Sequence, residues 1–363
     1  MAAPRSPRLK QIVYLVGAGA TQSEAQHLGA TMSLLMRDGE QGEGITTRIL
    51  RRIGRRSISA FGVGPGADIE KLIGLLVATG IDKHFQFAER MRTAYFNELR
   101  ASLAASKVLD NPSLIKRLLA LHNDPEFKTR VETLCGIITT NHDGLLQLAS
   151  HEVFGELNLG FAFESPDFVQ ATSDSTPPIL QLHGSFTWRF GTPLQVARLR
   201  KTSKYSRDTV WIPPTILKES KNYPFNKLSG LAYELLSKQC DVLRVVGASL
   251  TQNDWNVLSL IFNAQRHREF ARGSVFRIEL IMPQQSGEQI KEDCAYLKNI
   301  TPIGYLTEGK FADYKDKEIP PESDMSNPFG YWLSEKSEYH RMRGELPRKG
   351  IRESTDEPAG VTL

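Results

Sequence analysis

Cysteine is scarce. The chain holds Cys135, Cys240 and Cys294, and none lies within ten residues of another. That spacing excludes a CxxC zinc knuckle, and an odd number of scattered cysteines argues against a disulfide framework. A reducing cytoplasm fits such usage best. Long apolar runs are missing too. No stretch approaches the roughly 18 apolar residues that a spanning helix needs, so no membrane partner is expected. The opening "MAAPRSPRLKQIVYLVGAGA" loosely mimics a signal peptide, with a basic beginning and an A-G-A. Its apolar core, Ile12 to Val16, is only five residues, shorter than the usual h-region, and the expected location is cytoplasmic. Charge of one sign is not in excess. The balance of 45 basic against 41 acidic residues gives +4, which predicts no nucleic-acid partner by itself. No internal repeat is present.

What remains is an ordinary globular composition, 40% hydrophobic and 24% charged. A length of 363 residues allows two domains, or one large α/β domain with insertions, and a core that needs neither disulfide nor metal. One basic concentration stands out, "TRILRRIGRR", with Arg48, Arg51, Arg52, Arg55 and Arg56. It reads either as a solvated helix face or as a dock for phosphate or an acidic partner.

Hydrophobic periodicity organises the chain. Residues 11–16 read as a buried strand, Gly17-Ala18-Gly19-Ala20 as a turn, and 22–37 as a helix. Residues 38–67, rich in Gly and Arg, read as a loop or lid. Residues 68–133 carry helical patterns only and read as a helical insertion, with Asp68 as an N-cap and a long helix near 85–106. Strands are expected at 134–140, 178–182, 208–212, 241–246, 276–282 and 301–306, with helices at 144–154, 225–239, 253–267 and 286–298 between several of them. Apolar strands alternating with helices predict an α/β fold: a Rossmann-like, mostly parallel sheet with helices on both faces. Residues 1–37 and 134–310 would form it, and 325–363 would be a flexible tail.

Ligands of open parallel sheets bind outside the carboxyl ends of the strands. Four such ends carry polar or glycine-rich residues. The first is "VGAGATQSEAQ", where Gly17, Ala18 and Gly19 precede a helix start suited to a pyrophosphate; the alternative is a tight strand–helix turn. The second is "TTNHDG", presenting Asn141, His142 and Asp143. The third is "LQLHGSFTW", closing on His183 and Gly184. The fourth is "VVGASLTQND", with Gly247, Ser249 and the capping candidates Asn253 and Asp254. Singly, an Asx after a strand is a turn former and a lone His a satisfied polar residue. Jointly, they read as a nucleotide site with chemistry.

In this order, "GAGAT", "TTNHD", "LHGS" and "VVGASL" resemble the sirtuin family and its relatives that cleave nicotinamide dinucleotide, over roughly 11–260. The chain lacks the two CxxC pairs of the deacetylases' structural zinc module, and lacks their Ser-Gly-Ile-Pro continuation. It looks most like the zinc-free bacterial sirtuin-like NADases of anti-phage defence. "GADIEKLIGLL" is similar to a helix common there. The resemblance implies a Rossmann-like fold, NAD as substrate, no metal, a homo-oligomer, and a defence partner such as a HerA-type ATPase.

The chemistry follows from the substrate. The nicotinamide of NAD is cationic and departs neutral, so no acid is needed for the leaving group. The site must hold the dinucleotide, stabilise an oxocarbenium-like ribose and place a water. Asn141 can orient that water, since a neutral amide both donates and accepts. Asp143 can accept from the carboxamide. By the resemblance, His183 is a base or polariser on a ribose hydroxyl, with Gly184 beside it at the cofactor. Gly17, Ala18 and Gly19 would cradle phosphate, and Gly247 and Ser249 would hold the adenosine side. His142, between two candidates in an extended backbone, should point elsewhere and be structural. The expected activity is therefore NAD glycohydrolysis. The alternatives are an NAD or ADP-ribose binding module, a zinc-free deacylase, or an oxidoreductase.

Overall fold

The computed structural model describes residues 9–27, 49, 69–105, 108–110, 112–125, 128, 132–172, 175–212, 221–248, 250 and 254–305. The expected lid at 38–67, apart from Ile49, and the expected tail lie outside the described residues.

Six strands form one parallel sheet: β1 (Lys10–Val16), β2 (Glu132–Thr139), β4 (Ile179–Gln181), β8 (Val242–Val246), β9 (Arg277–Pro283) and β10 (Ile300–Tyr305). Their spatial order is β10-β9-β8-β1-β2-β4. The chain adds β2 and β4 on one side of β1, then crosses to add β8, β9 and β10 on the other. This is the doubly wound Rossmann order, with its topological switch between β1 and β8. The apolar runs "IVYLV" and "VLRVV" are buried at nearly every position because both faces of the sheet are covered.

The helices are α1 (Ala18–His27), α2 (Ile69–Ala78), α3 (Asp82–Ala105), α4 (Ser113–Asn123), α5 (Leu145–Phe154), α6 (Phe225–Glu234), α7 (Trp255–Arg272) and α8 (Gln284–Asp293). A π-helical turn, Leu235–Gln239, prolongs α6. Alternation along the strands divides the faces. Leu15, Ile138 and Leu243 meet Leu236 of the π-turn and Val257 and Ile261 of α7 on one side. Tyr14 meets His122 of α4 on the other, at 3.0 Å between Oη and Nε2.

That second face carries charge the sequence reading did not single out. Tyr14, Arg244 and Glu279 are register partners across β1, β8 and β9. The Arg244 guanidinium grips both oxygens of Glu132 and donates through Nε to Glu279 at 2.9 Å. All three side chains are almost fully buried. Burial alone would raise the Glu132 carboxyl, but the adjacent Arg244 outweighs it and holds it below the usual range. Burial also pushes His122 down from 6.5 to about 4.

A second, smaller sheet has the order β3-β6-β5-β7, made of β3 (Phe163–Glu164), β5 (Gly184–Arg189), β6 (Leu194–Val196) and β7 (Thr209–Trp211). The strand expected at 208–212 therefore belongs to an antiparallel partner of β5, not to the parallel sheet. Helix α3 covers this small sheet. Tyr95 stacks on Trp211 at 6.2 Å and Phe96 meets Phe186 edge-on at 4.8 Å. The buried side chains of α2, α3 and α4 thus share a core with both sheets.

Candidate functional site at the strand ends

At the switch point, the loops after β1 and β8 touch backbone to backbone. Gly17 N donates to Val246 O at 3.0 Å, and Gly19 N donates to Gly247 O at 2.9 Å. A Cβ on Gly17 would lie 2.4 Å from the Ala248 Cα, and one on Gly247 2.4 Å from the Ala20 N. Side chains at either place would force the loops apart. The close approach expected at Gly17 and Gly19 is thus an approach to the neighbouring loop, and these two amides face protein carbonyls. Ala18 opens α1 and is exposed. Ser249 and Asn253 lie outside the described residues.

Beside this junction, β2 ends and Asn141 turns back toward β1. Its Nδ2 donates to Gly17 O at 3.0 Å and to Thr21 Oγ1 at 3.1 Å. A carbonyl can only accept, so the amide nitrogen must face Gly17. The Thr21 hydroxyl in turn donates to Asp143 Oδ2 at 2.6 Å. The chain of donors therefore runs one way, from Asn141 through Thr21 to Asp143. Both amide hydrogens of Asn141 are engaged, which leaves Oδ1 as its acceptor for anything that enters. Thr21 stands in the quoted "GAGAT", where its residue type alone pointed to no role.

Asp143 is buried, and burial raises its carboxyl above the usual range although the Thr21 hydroxyl and the Leu145 amide pull it down. Its Oδ1 accepts from Leu145 N at 2.9 Å, an Asx turn that leads into α5. The carboxylate thus acts first as a turn former and as an anchor for Thr21. Two lone-pair sites per oxygen still leave it capacity for a ligand amide.

His142 points away from Asn141 and Asp143. Its Nε2 donates to Ile212 O at 3.1 Å, and its ring sits among Tyr95, Phe186 and Trp211. A polar ladder lies beneath it. Gln181 Nε2 donates to Asn141 O at 3.1 Å, Gln147 donates to Gln181, and Thr187 donates to Gln147 Oε1 at 3.0 Å. This network locks the backbone that presents Asn141.

His183 follows β4 and is 3% exposed. Its carbonyl accepts from Ile212 N at 2.7 Å, and its ring centroid is 6.1 Å from that of His142. Asn256, in the first turn of α7, brings Nδ2 to 3.4 Å from His183 Nε2. Gly184 has a positive φ of 70°, and a Cβ there would meet Val210 O at 2.4 Å, so it serves the crossing from β4 into the second sheet. Asn256 escaped the sequence reading because "NDWN" looks like a helix cap.

Among the described residues, no group of three His, Cys, Asp or Glu side chains could hold a metal ion, and no helix is long and apolar enough to cross a membrane. No protein-family model matches the chain, and no curated protein matches it either.

Proposed function

We propose that this protein is an NAD glycohydrolase, cleaving the bond between nicotinamide and ribose to give nicotinamide and ADP-ribose. The observation that carries the reading is the fixed amide of Asn141, whose Nδ2 is engaged by Gly17 O and Thr21 Oγ1 so that Oδ1 is left to accept. An acceptor on one water hydrogen turns an oxygen lone pair toward the ribose C1′. The neutral amide does this without quenching the developing oxocarbenium ion.

In the step, the water oxygen bonds to C1′ as the C1′–N bond breaks. The bond's electron pair goes to the pyridinium nitrogen and neutralises it. One water proton is released, and His183 receives it directly or through a ribose hydroxyl. Positioned acid–base groups contribute about 10²- to 10⁴-fold. Asp143 binds the departing carboxamide, and Ala18 lies at the exposed start of α1 where a pyrophosphate meets the helix dipole. The resemblance adds a role in anti-phage defence through NAD depletion, as an oligomer or with an ATPase partner.

The test is chromatographic. Purified protein incubated with NAD should release nicotinamide and ADP-ribose in equal amounts. Asn141→Ala and His183→Ala, each checked for native folding, should lose detectable turnover. Wild-type rates in both folded variants would remove this mechanism.

A further inference from the structure

In the first turn of α7, Asn256 brings Nδ2 to 3.4 Å from Nε2 of the His183 ring. An amide NH₂ can only donate, so in this arrangement His183 Nε2 carries a lone pair and the neutral ring bears its proton on Nδ1. The contact is long, as contacts in ligand-free sites often are before substrate tightens them. The other end of the same amide, Asn256 Oδ1, is buried and has no hydrogen-bond partner. A buried acceptor without a donor is costly and uncommon in a folded protein. Here it sits on α7, whose first turn faces the end of β4.

We infer that Asn256 and His183 form one hydroxyl-reading pair for the vicinal diol of a ribose. Asn256 Oδ1 accepts from one hydroxyl, and His183 Nε2 accepts from its neighbour once the ligand displaces the long contact. Before the ligand arrives, Asn256 holds the imidazole in the tautomer that keeps Nε2 basic. Asn256 is thus a ligand-binding residue through Oδ1 and a positioning residue through Nδ2. This deepens, and rests on, the reading of the site as one for a ribosyl substrate.

The experiment compares the full-length wild type with Asn256→Ala and Asn256→Asp. Two readouts are taken: nicotinamide release from NAD, and the ¹⁵N shifts of the His183 imidazole with and without ADP-ribose. Wild type should show the Nδ1-protonated tautomer and a change at Nε2 on adding ADP-ribose. Asn256→Ala should lower kcat/KM at least tenfold and give mixed tautomers. Asn256→Asp places a carboxylate beside Nε2, so it should move the acid limb of the kcat/KM profile to higher pH. An Nε2-protonated wild type, or unchanged shifts and kcat/KM in Asn256→Ala, would overturn the pair. A wild type that releases no nicotinamide, yet shows the expected shifts with ADP-ribose, sinks only the hydrolase reading.

Discussion

The Thr21 hydroxyl donates to Asp143 at 2.6 Å while accepting from the Asn141 amide at 3.1 Å. This hydroxyl on α1 and the Gly17 carbonyl together set which end of the Asn141 amide faces the site. Neither bond is local in sequence; the β1–β2 pairing brings α1 beside the end of β2.

Thr21→Val keeps the shape and removes both bonds. It leaves Asp143 Oδ2 without this donor in a buried place, a loss of about 1–3 kcal/mol in stability. It also leaves the Asn141 amide held by the Gly17 carbonyl alone. Nicotinamide release should fall about tenfold or more, mostly in kcat, while Thr21→Ser should restore it. Equal kcat values for Val and wild type would exclude a positioning role.

Asn141→Asp is a harsher change than its size suggests. A carboxylate oxygen would replace the amide nitrogen facing the Gly17 carbonyl, so an attraction at 3.0 Å becomes a repulsion. Stability should drop by about 1–3 kcal/mol, and turnover should vanish. Thermal melting and the nicotinamide assay check both on one sample.

Arg244→Met removes the charge that pairs Glu132 and Glu279. Glu132 would then be buried with its main partner gone, while Glu279 would keep Arg277. Breaking such a pair typically costs about 3–5 kcal/mol. Urea unfolding should show it as a lower midpoint. Replacing Glu132 by Gln and Glu279 by Gln in the same chain should recover part of the loss.

His122 makes stability depend on pH. Burial lowers it from 6.5 to about 4; Glu132 opposes this and Arg244 reinforces it. The unfolded chain takes up this proton near the ordinary value, and the folded chain resists until the lowered one. Above that ordinary value both states are neutral and nothing is lost. Below it the unfolded state binds the extra proton, so stability falls with pH, by about 1.4 kcal/mol per unit until the lowered value is reached. Glu132 is held below the usual carboxylate range, so its own loss comes lower. Unfolding at pH 7.5 and 5 should therefore differ by about 2 kcal/mol from this group, and His122→Gln should shrink the gap. An unchanged gap would assign the pH dependence elsewhere.

Much of the parallel sheet was legible because continuous apolar runs alternate with helical patterns. The observed β1 extends the expected 11–16 by one residue, and α5 runs Leu145–Phe154 against an expected 144–154. The small sheet was legible only at β7, which falls inside the expected 208–212. Strands of two or three residues, such as Phe163–Glu164, carry too little periodicity, and β5 follows β4 so closely that "LQLHGSFTWR" reads as a single strand end. The six-residue β5 did carry a signal in its aromatic and β-branched residues, overlooked in favour of His183. Thr21, Asn256 and Arg244 share one reason for being missed. Each acts through at least one partner more than 70 residues away, and spacing along a chain does not encode such pairs.

The junction of Gly17 with the Gly247–Ala248 loop has a consequence for inheritance. Because each backbone occupies the space a methyl group at the other would need, neither position is free to mutate alone. Descendants of this sequence should change the two loops together or not at all, and positions 17, 247 and 248 should therefore vary as a single unit when many related chains are aligned.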